Sequence, residues 1–316
     1  MEQQNKKLYD CLTEVAEIAS DKIKDIAYPI AYSAIGDLNT GIIDSKTELQ
    51  CYLIVSPKFT EIIQDNSHIH KVFHIEKHFK SYRVTVIDIA LFVAKLKKHD
   101  LQAIEALNSV WFTPYHCKDL YGRDTYDYID NIFCMTDYIT FMNPFDVIKT
   151  CMRHIREFVE LCKFDRDEDH KEFSSTTPKY YLDIIYNTNF LDSYIRNCID
   201  VGNINMNNHT DESMNIPTCD NLYIIHDDEA KKLIQSIRAE SVNIYCDKTP
   251  IDFWIVSELE SFLEWAEESL EIIELNKNKF KLKEDEVIRF LNDNLHTIME
   301  IAVSKDINER LSNVKN

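Results

Sequence analysis

The side chains able to do chemistry form a few small groups. His68, His70, His74 and His78 are the densest set of metal-capable residues. On a helix His70, His74 and His78 would share one face at i, i+4 and i+8, where a first-row transition metal could bridge two of them. The surrounding Ile69, Val72, Phe73 and Ile75 do not fit one helical period, so the other reading is a partly exposed edge. Neither Asp65 nor Glu76 completes a ligand set, and the histidines are expected to be structural or solvated. Asp37, Asp44 and Glu48 could regroup into an acid cluster for a divalent cation.

Other constellations fail at their diagnostic positions. Asp165 to Asp169 alternates acids as a calcium loop does, but His170 and Thr176 stand where that loop needs Gly and Glu. A solvated acidic turn is expected there. Ser33 has no histidine nearby in sequence and no Gly-x-Ser-x-Gly elbow surrounds it. His116-Cys117 is an isolated pair with nothing to lower the thiol pKa. From Glu258 to Glu274 seven glutamates follow one another without a basic residue, while Leu259, Phe262, Leu263, Ala266, Leu270 and Ile273 supply a core face. Glu260, Glu264, Glu267 and Glu271 are therefore the candidate surface for a basic protein partner.

The elements that must position these groups follow from periodicity. Leu8 to Ala27 reads as an amphipathic helix, Ile26 to Ile35 and Leu49 to Val55 as buried strands, and Gly36 to Lys46 as turn. A helix from about Ile87 ends near His99-Asp100, and a second begins near Leu101. Helical periodicity resumes over 147–162, 179–199, 228–239, 252–275 and 284–303, with polar breaks at 165–178 and 202–220. The fold class expected is α+β: a mixed sheet with helices over 1–112, an aromatic and acidic connecting segment over 113–145, and a helical domain over 146–316.

Two stretches carry a family resemblance. Ala31-Tyr32-Ser33-Ala34-Ile35-Gly36-Asp37 follows an apolar run and resembles the Gly-Ser turn that opens a polymerase-beta-type nucleotidyltransferase site, with Tyr32 where the family has Gly. Residues 83 to 109 resemble the strand, helix and short helix of that superfamily's RNA-repair-associated branch, through Ile89, Phe92, Lys97, Lys98 and Ile104-Glu105-Ala106-Leu107. The family places an Asp-x-Asp pair on the next strand and a third acid on a later one, because two Mg²⁺ ions clamp the entering and leaving oxygens. Counting forward from the turn puts the pair at Asp44 and Lys46. Counting back from Leu53-Ile54-Val55-Ser56-Pro57 puts it at Glu48 and Gln50. Arg83 stands at the third position. Neither register supplies two carboxylates, and a cation at either place opposes Mg²⁺.

The resemblance thus implies a degenerate nucleotidyltransferase that needs no cofactor and acts by binding a protein, or else a nucleotide, through the inherited cleft. The alternative is an active enzyme using Mg²⁺ and a nucleoside triphosphate to modify protein, RNA or a small molecule. A formal charge of −19 disfavours nucleic acid as a direct partner. Four glycines in 316 residues leave no Gly-rich phosphate loop. Nine scattered cysteines without a Cys-x-x-Cys pair suit a reducing interior, and the absence of an apolar export segment or membrane span points to the cytoplasm. Asn, Lys and Ile usage suits an AT-rich genome; a viral source, with interference in host machinery or defence, fits that usage.

Overall fold

The computed structural model describes residues 2–42, 47, 49–64, 69–77, 80–167, 177–207, 219, 222–238, 258–275 and 284–315. Its fold is α+β. The chain divides into two compact units, one of residues 1–39, 48–139 and 283–316, the other of residues 40–47 and 140–282.

The first unit is built on a five-stranded sheet in the order β3-β4-β2-β1-β5. Its strands are β1 (Ala27–Ile35), β2 (Leu49–Pro57), β3 (His70–Lys77), β4 (Lys80–Asp88) and β5 (Thr113–Pro114). β2 runs parallel to β4, while the β1–β2, β3–β4 and β1–β5 pairs are antiparallel. One face is covered by α1 (Glu2–Ile23), whose Leu12, Val15, Ala16, Ala19 and Ile23 recur every three or four residues and are buried in one cluster with Leu53, Val55, Tyr82, Val84 and Val86. Burial on both faces explains why β1 and β2 read as continuous apolar runs.

After β2 comes the short α2 (Phe59–Ile63), and after β4 the chain enters α3 (Ile89–Lys97) and α4 (Leu101–Asn108). Each of the latter pair is started by an aspartate: Asp88 accepts from the Leu91 amide at 2.7 Å and Asp100 from the Ala103 amide at 3.0 Å. His99, with φ of 55°, makes the reversal between them in the left-handed region. This is the strand, helix and second helix expected for residues 83 to 109.

His70 to His74 lies in strand β3, at the edge of the sheet and paired with β4, so of the two readings of the histidines the edge holds and the helix does not. The division of the chain differs from expectation in two places. The expected connecting segment contains α5 (Thr125–Cys134) and α6 (Thr136–Thr140), and its residues up to Ile139 pack with the sheet unit. The last helix, numbered α11 here (Glu284–Lys315), also belongs to that unit and not to the helical one. It buries Val287, Leu291, Ile298 and Ile301, and the buried Asp306 carboxylate accepts from the Phe59 amide at 3.1 Å.

The second unit contains α7 (Pro144–Asp167), α8 (Thr177–Asn207), α9 (Asp228–Arg238) and α10 (Leu259–Leu275). α8 runs through residues 202–207, which were expected to be loop. The stacked rings of Phe141, Tyr194, Phe190 and Tyr223 fill part of its interior. Buried Arg238 donates to the Ile42 carbonyl at 2.8 Å and to the Tyr186 hydroxyl at 2.9 Å, tying Ile42 to the helices. No helix among the described residues is long and apolar enough to cross a membrane.

Candidate functional site

Strand register brings the sheet's polar residues together. Ile35 pairs with Gln50, Gln50 with Arg83, and Arg83 with His74, so one row crosses four strands. Cross-strand partners project from the same face. That face is opposite α1, because the alternating residues Ala34, Leu49, Cys51, Tyr82, Val84, Phe73 and Ile75 belong to the α1-side core. Further along the same face Tyr52, Ile54, Thr85 and Ile87 are buried. At the row the face opens: Gln50 and Arg83 are half-buried and His74 is exposed. Strands lie about 4.8 Å apart, so the step from Gln50 through Arg83 to His74 spans about 10 Å.

The turn beside this row begins at Gly36, where periodicity placed it, and not at Ser33, where the family resemblance did. Ser33 lies within β1, fully buried, and donates to the Ala106 carbonyl at 2.6 Å. It fastens α4 to the strand and is not available as a turn residue. The chain leaves β1 at Gly36, whose φ of 72° favours glycine. A Cβ placed on Gly36 would lie 3.9 Å from the Gln50 side-chain nitrogen. The Gly36 amide donates to a Glu105 carboxylate oxygen at 2.6 Å, and Asn39 Nδ2 donates to the same oxygen at 3.0 Å. Ser109 in turn holds Asn39 at 2.7 Å. Glu105 was matched in sequence only as part of a helix pattern; its role at the turn required the fold.

Of the other candidates, Asp44, Lys46, Glu48, His68 and His78 lie outside the described residues. His70 and His74 share a face of β3 but stand four residues apart along a strand, about 13 Å at ~3.3 Å per residue. One metal ion cannot bridge that gap. Among the described residues no three His, Cys, Asp or Glu side chains converge to hold a metal. Burial pushes the Cys117 thiol up to about 11 and the Cys51 thiol up to about 12, so both are protonated near neutral pH.

Glu260, Glu264, Glu267 and Glu271 are all exposed on α10, whose Leu259, Leu263, Ala266 and Ile273 are buried. One of the four is already engaged: Glu267 pairs with Arg156 of α7. The acidic run has no base within it, but the neighbouring helix supplies one.

The loop that carries His116 and Cys117 is also well braced. The buried Asp124 carboxylate accepts from His116 Nδ1 at 2.7 Å, the Cys117 amide at 3.0 Å and the Tyr126 amide at 3.1 Å. Burial by itself would raise the Asp124 carboxyl, but these hydrogen bonds outweigh it and hold the group below the usual carboxylate range. Asp119 likewise accepts from the Tyr121 and Arg123 amides and from Arg123 Nε.

The sequence matches no protein-family model and no curated protein. Among solved structures, a nucleotidyltransferase-like protein from Exiguobacterium sibiricum 255-15 is similar at 13% identity, over 90% of this chain and 78% of that one, with a TM-score of 0.27. That likeness is too slight to carry an assignment.

Proposed function

We propose that this chain is a nucleotidyltransferase-like protein without phosphoryl-transfer chemistry, acting by binding a protein partner. The observation that carries the reading is Gln50 beside Arg83 in the β2–β4 ladder. Two-metal catalysis needs converging carboxylates. Under the resemblance drawn from sequence, one register of the acid pair ends at Gln50 and the third acid falls at Arg83. A guanidinium has no atom to ligate Mg²⁺ and repels it, and Gln50 offers a neutral carbonyl oxygen where the reaction needs a carboxylate. The Gly36 amide supports the same reading, since the chain's own Glu105 already occupies it.

For a protein partner, the exposed glutamates of α10 offer a surface of one sign of charge. Complementary charge there would speed encounter with a basic surface and make it sensitive to salt. The test of the non-catalytic reading is incubation with Mg²⁺ or Mn²⁺ and each labelled nucleoside triphosphate, alone and with RNA or cell lysate. No label is transferred. Transfer that Asp44→Ala or Glu48→Ala abolishes would overturn the proposal.

A further inference from the structure

Arg83 is a half-buried cation on an open sheet face, and it has no hydrogen-bond or ion-pair partner among the described residues. The chain has 54 acidic and 35 basic side chains, so carboxylates are in surplus, yet among the described residues none forms an ion pair with this guanidinium. Its neighbours in the row, Gln50 on one side and His74 on the other, are likewise uncommitted and can donate hydrogen bonds. Glu105, the acid that α4 brings to the turn, is held by Gly36 and Asn39.

We infer that the Gln50–Arg83–His74 row is a binding site for a phosphate-bearing small molecule, which it takes directly and without a divalent cation. The inference rests on the non-catalytic reading of the same face and names its ligand class. The planar guanidinium offers paired donors that match two oxygens of a phosphate or a carboxylate. A carboxylate has only those two oxygens, both in the plane that Arg83 engages. A diphosphate carries further oxygens out of that plane, and donors about 4.8 Å to either side of Arg83 are placed to meet them.

The experiment is calorimetric titration of the full chain with inorganic pyrophosphate, with ADP and with citrate, each in EDTA and at two salt concentrations. Pyrophosphate binds in EDTA, more weakly at high salt. Arg83→Ala weakens it about tenfold or more, the scale of one charge-assisted contact. Arg83→Lys and Gln50→Ala fall in between, and Lys232→Ala, an exposed change on α9, leaves it unaltered. ADP tighter than pyrophosphate identifies a nucleotide as the source of the diphosphate; equal affinity identifies the free anion.

Citrate binding as tightly as pyrophosphate would overturn the phosphate assignment, and binding indifferent to both Arg83→Lys and Gln50→Ala would overturn the site. If Arg83→Ala lowers the melting temperature, those two milder variants decide. Absence of pyrophosphate binding, with no label transfer in the assay above, refutes the anion site and leaves the non-catalytic reading standing. Binding that requires Mg²⁺ and is accompanied by label transfer refutes both.

Discussion

Cutting the chain after residue 282 removes α11 and should unfold the sheet unit. Four large aliphatic side chains of that helix, Val287, Leu291, Ile298 and Ile301, are at most 3% exposed. Burying each contributes about 1.5–3 kcal/mol, so the helix supplies roughly 6–12 kcal/mol of burial. A whole domain is stable by only about 5–15 kcal/mol. The truncated chain should therefore lose the sheet unit's share of the near-ultraviolet circular dichroism and of the cooperative denaturant transition, keeping only that of the helical unit. Leu291→Ala in the full chain provides a graded version, costing about 2–5 kcal/mol and lowering the transition midpoint with little change in slope. A 1–282 chain that still unfolds cooperatively, with its aromatic signal intact, would show that α11 only decorates the sheet unit.

Three further outcomes follow from the local geometry. Asp124 caps α5 and its carboxyl is depressed on folding, so its stabilisation is present above the unfolded value near pH 3.9 and is lost as pH falls through the lower folded value. Asp124→Asn should cost about 1–3 kcal/mol at neutral pH, and its melting-temperature gap from the natural protein should close between pH 5 and 2. A gap that persists at pH 2 would contradict this. Reversing Glu260, Glu264 and Glu271 to Lys should change stability by less than ~0.5 kcal/mol while weakening recovery of a basic partner; Glu267→Lys should cost up to about 1 kcal/mol, because it sets a lysine against Arg156. Unchanged partner recovery at unchanged salt dependence would reduce this face to solvated surface. Brief alkylation of the native protein at pH 8 should modify exposed Cys134 before buried Cys51, Cys117, Cys151 and Cys198; early labelling of Cys117, read by peptide mass mapping, would contradict its burial.

How much of this was legible in the sequence depended on whether a signal was local. β1, β2, α3 and α4 could be read because apolar runs and the caps Asp88 and Asp100 act within a few residues. The edge strand β3 could not be assigned. His70, Val72, His74 and Glu76 face solvent and show no apolar alternation, and the decisive hydrogen bonds come from β4. Periodicity identified α11 as a helix but carried no information about which core its apolar stripe would join. Ser33 stood in a strand by periodicity and in a turn by family resemblance; periodicity held, because its hydroxyl is satisfied by the Ala106 carbonyl and the turn belongs to Gly36.

The candidate site was legible as a set of residue types and illegible as an arrangement. Gln50 and Arg83 could each be recognised as standing where acids were expected, but two registers were open, and only the parallel ladder sets these residues side by side. A slip of one residue in either strand would turn the guanidinium into the α1-side core, so the apolar residues flanking it fix its exposure. His74 enters the row for the same reason and not through any histidine spacing. Its neighbour across the sheet is a cation, which makes the row a place for anions and disfavours the metal that the histidine cluster first suggested. The same reasoning explains Glu105: an acid near the turn engages a backbone amide and a side-chain amide, leaving Arg83 without a carboxylate among the described residues.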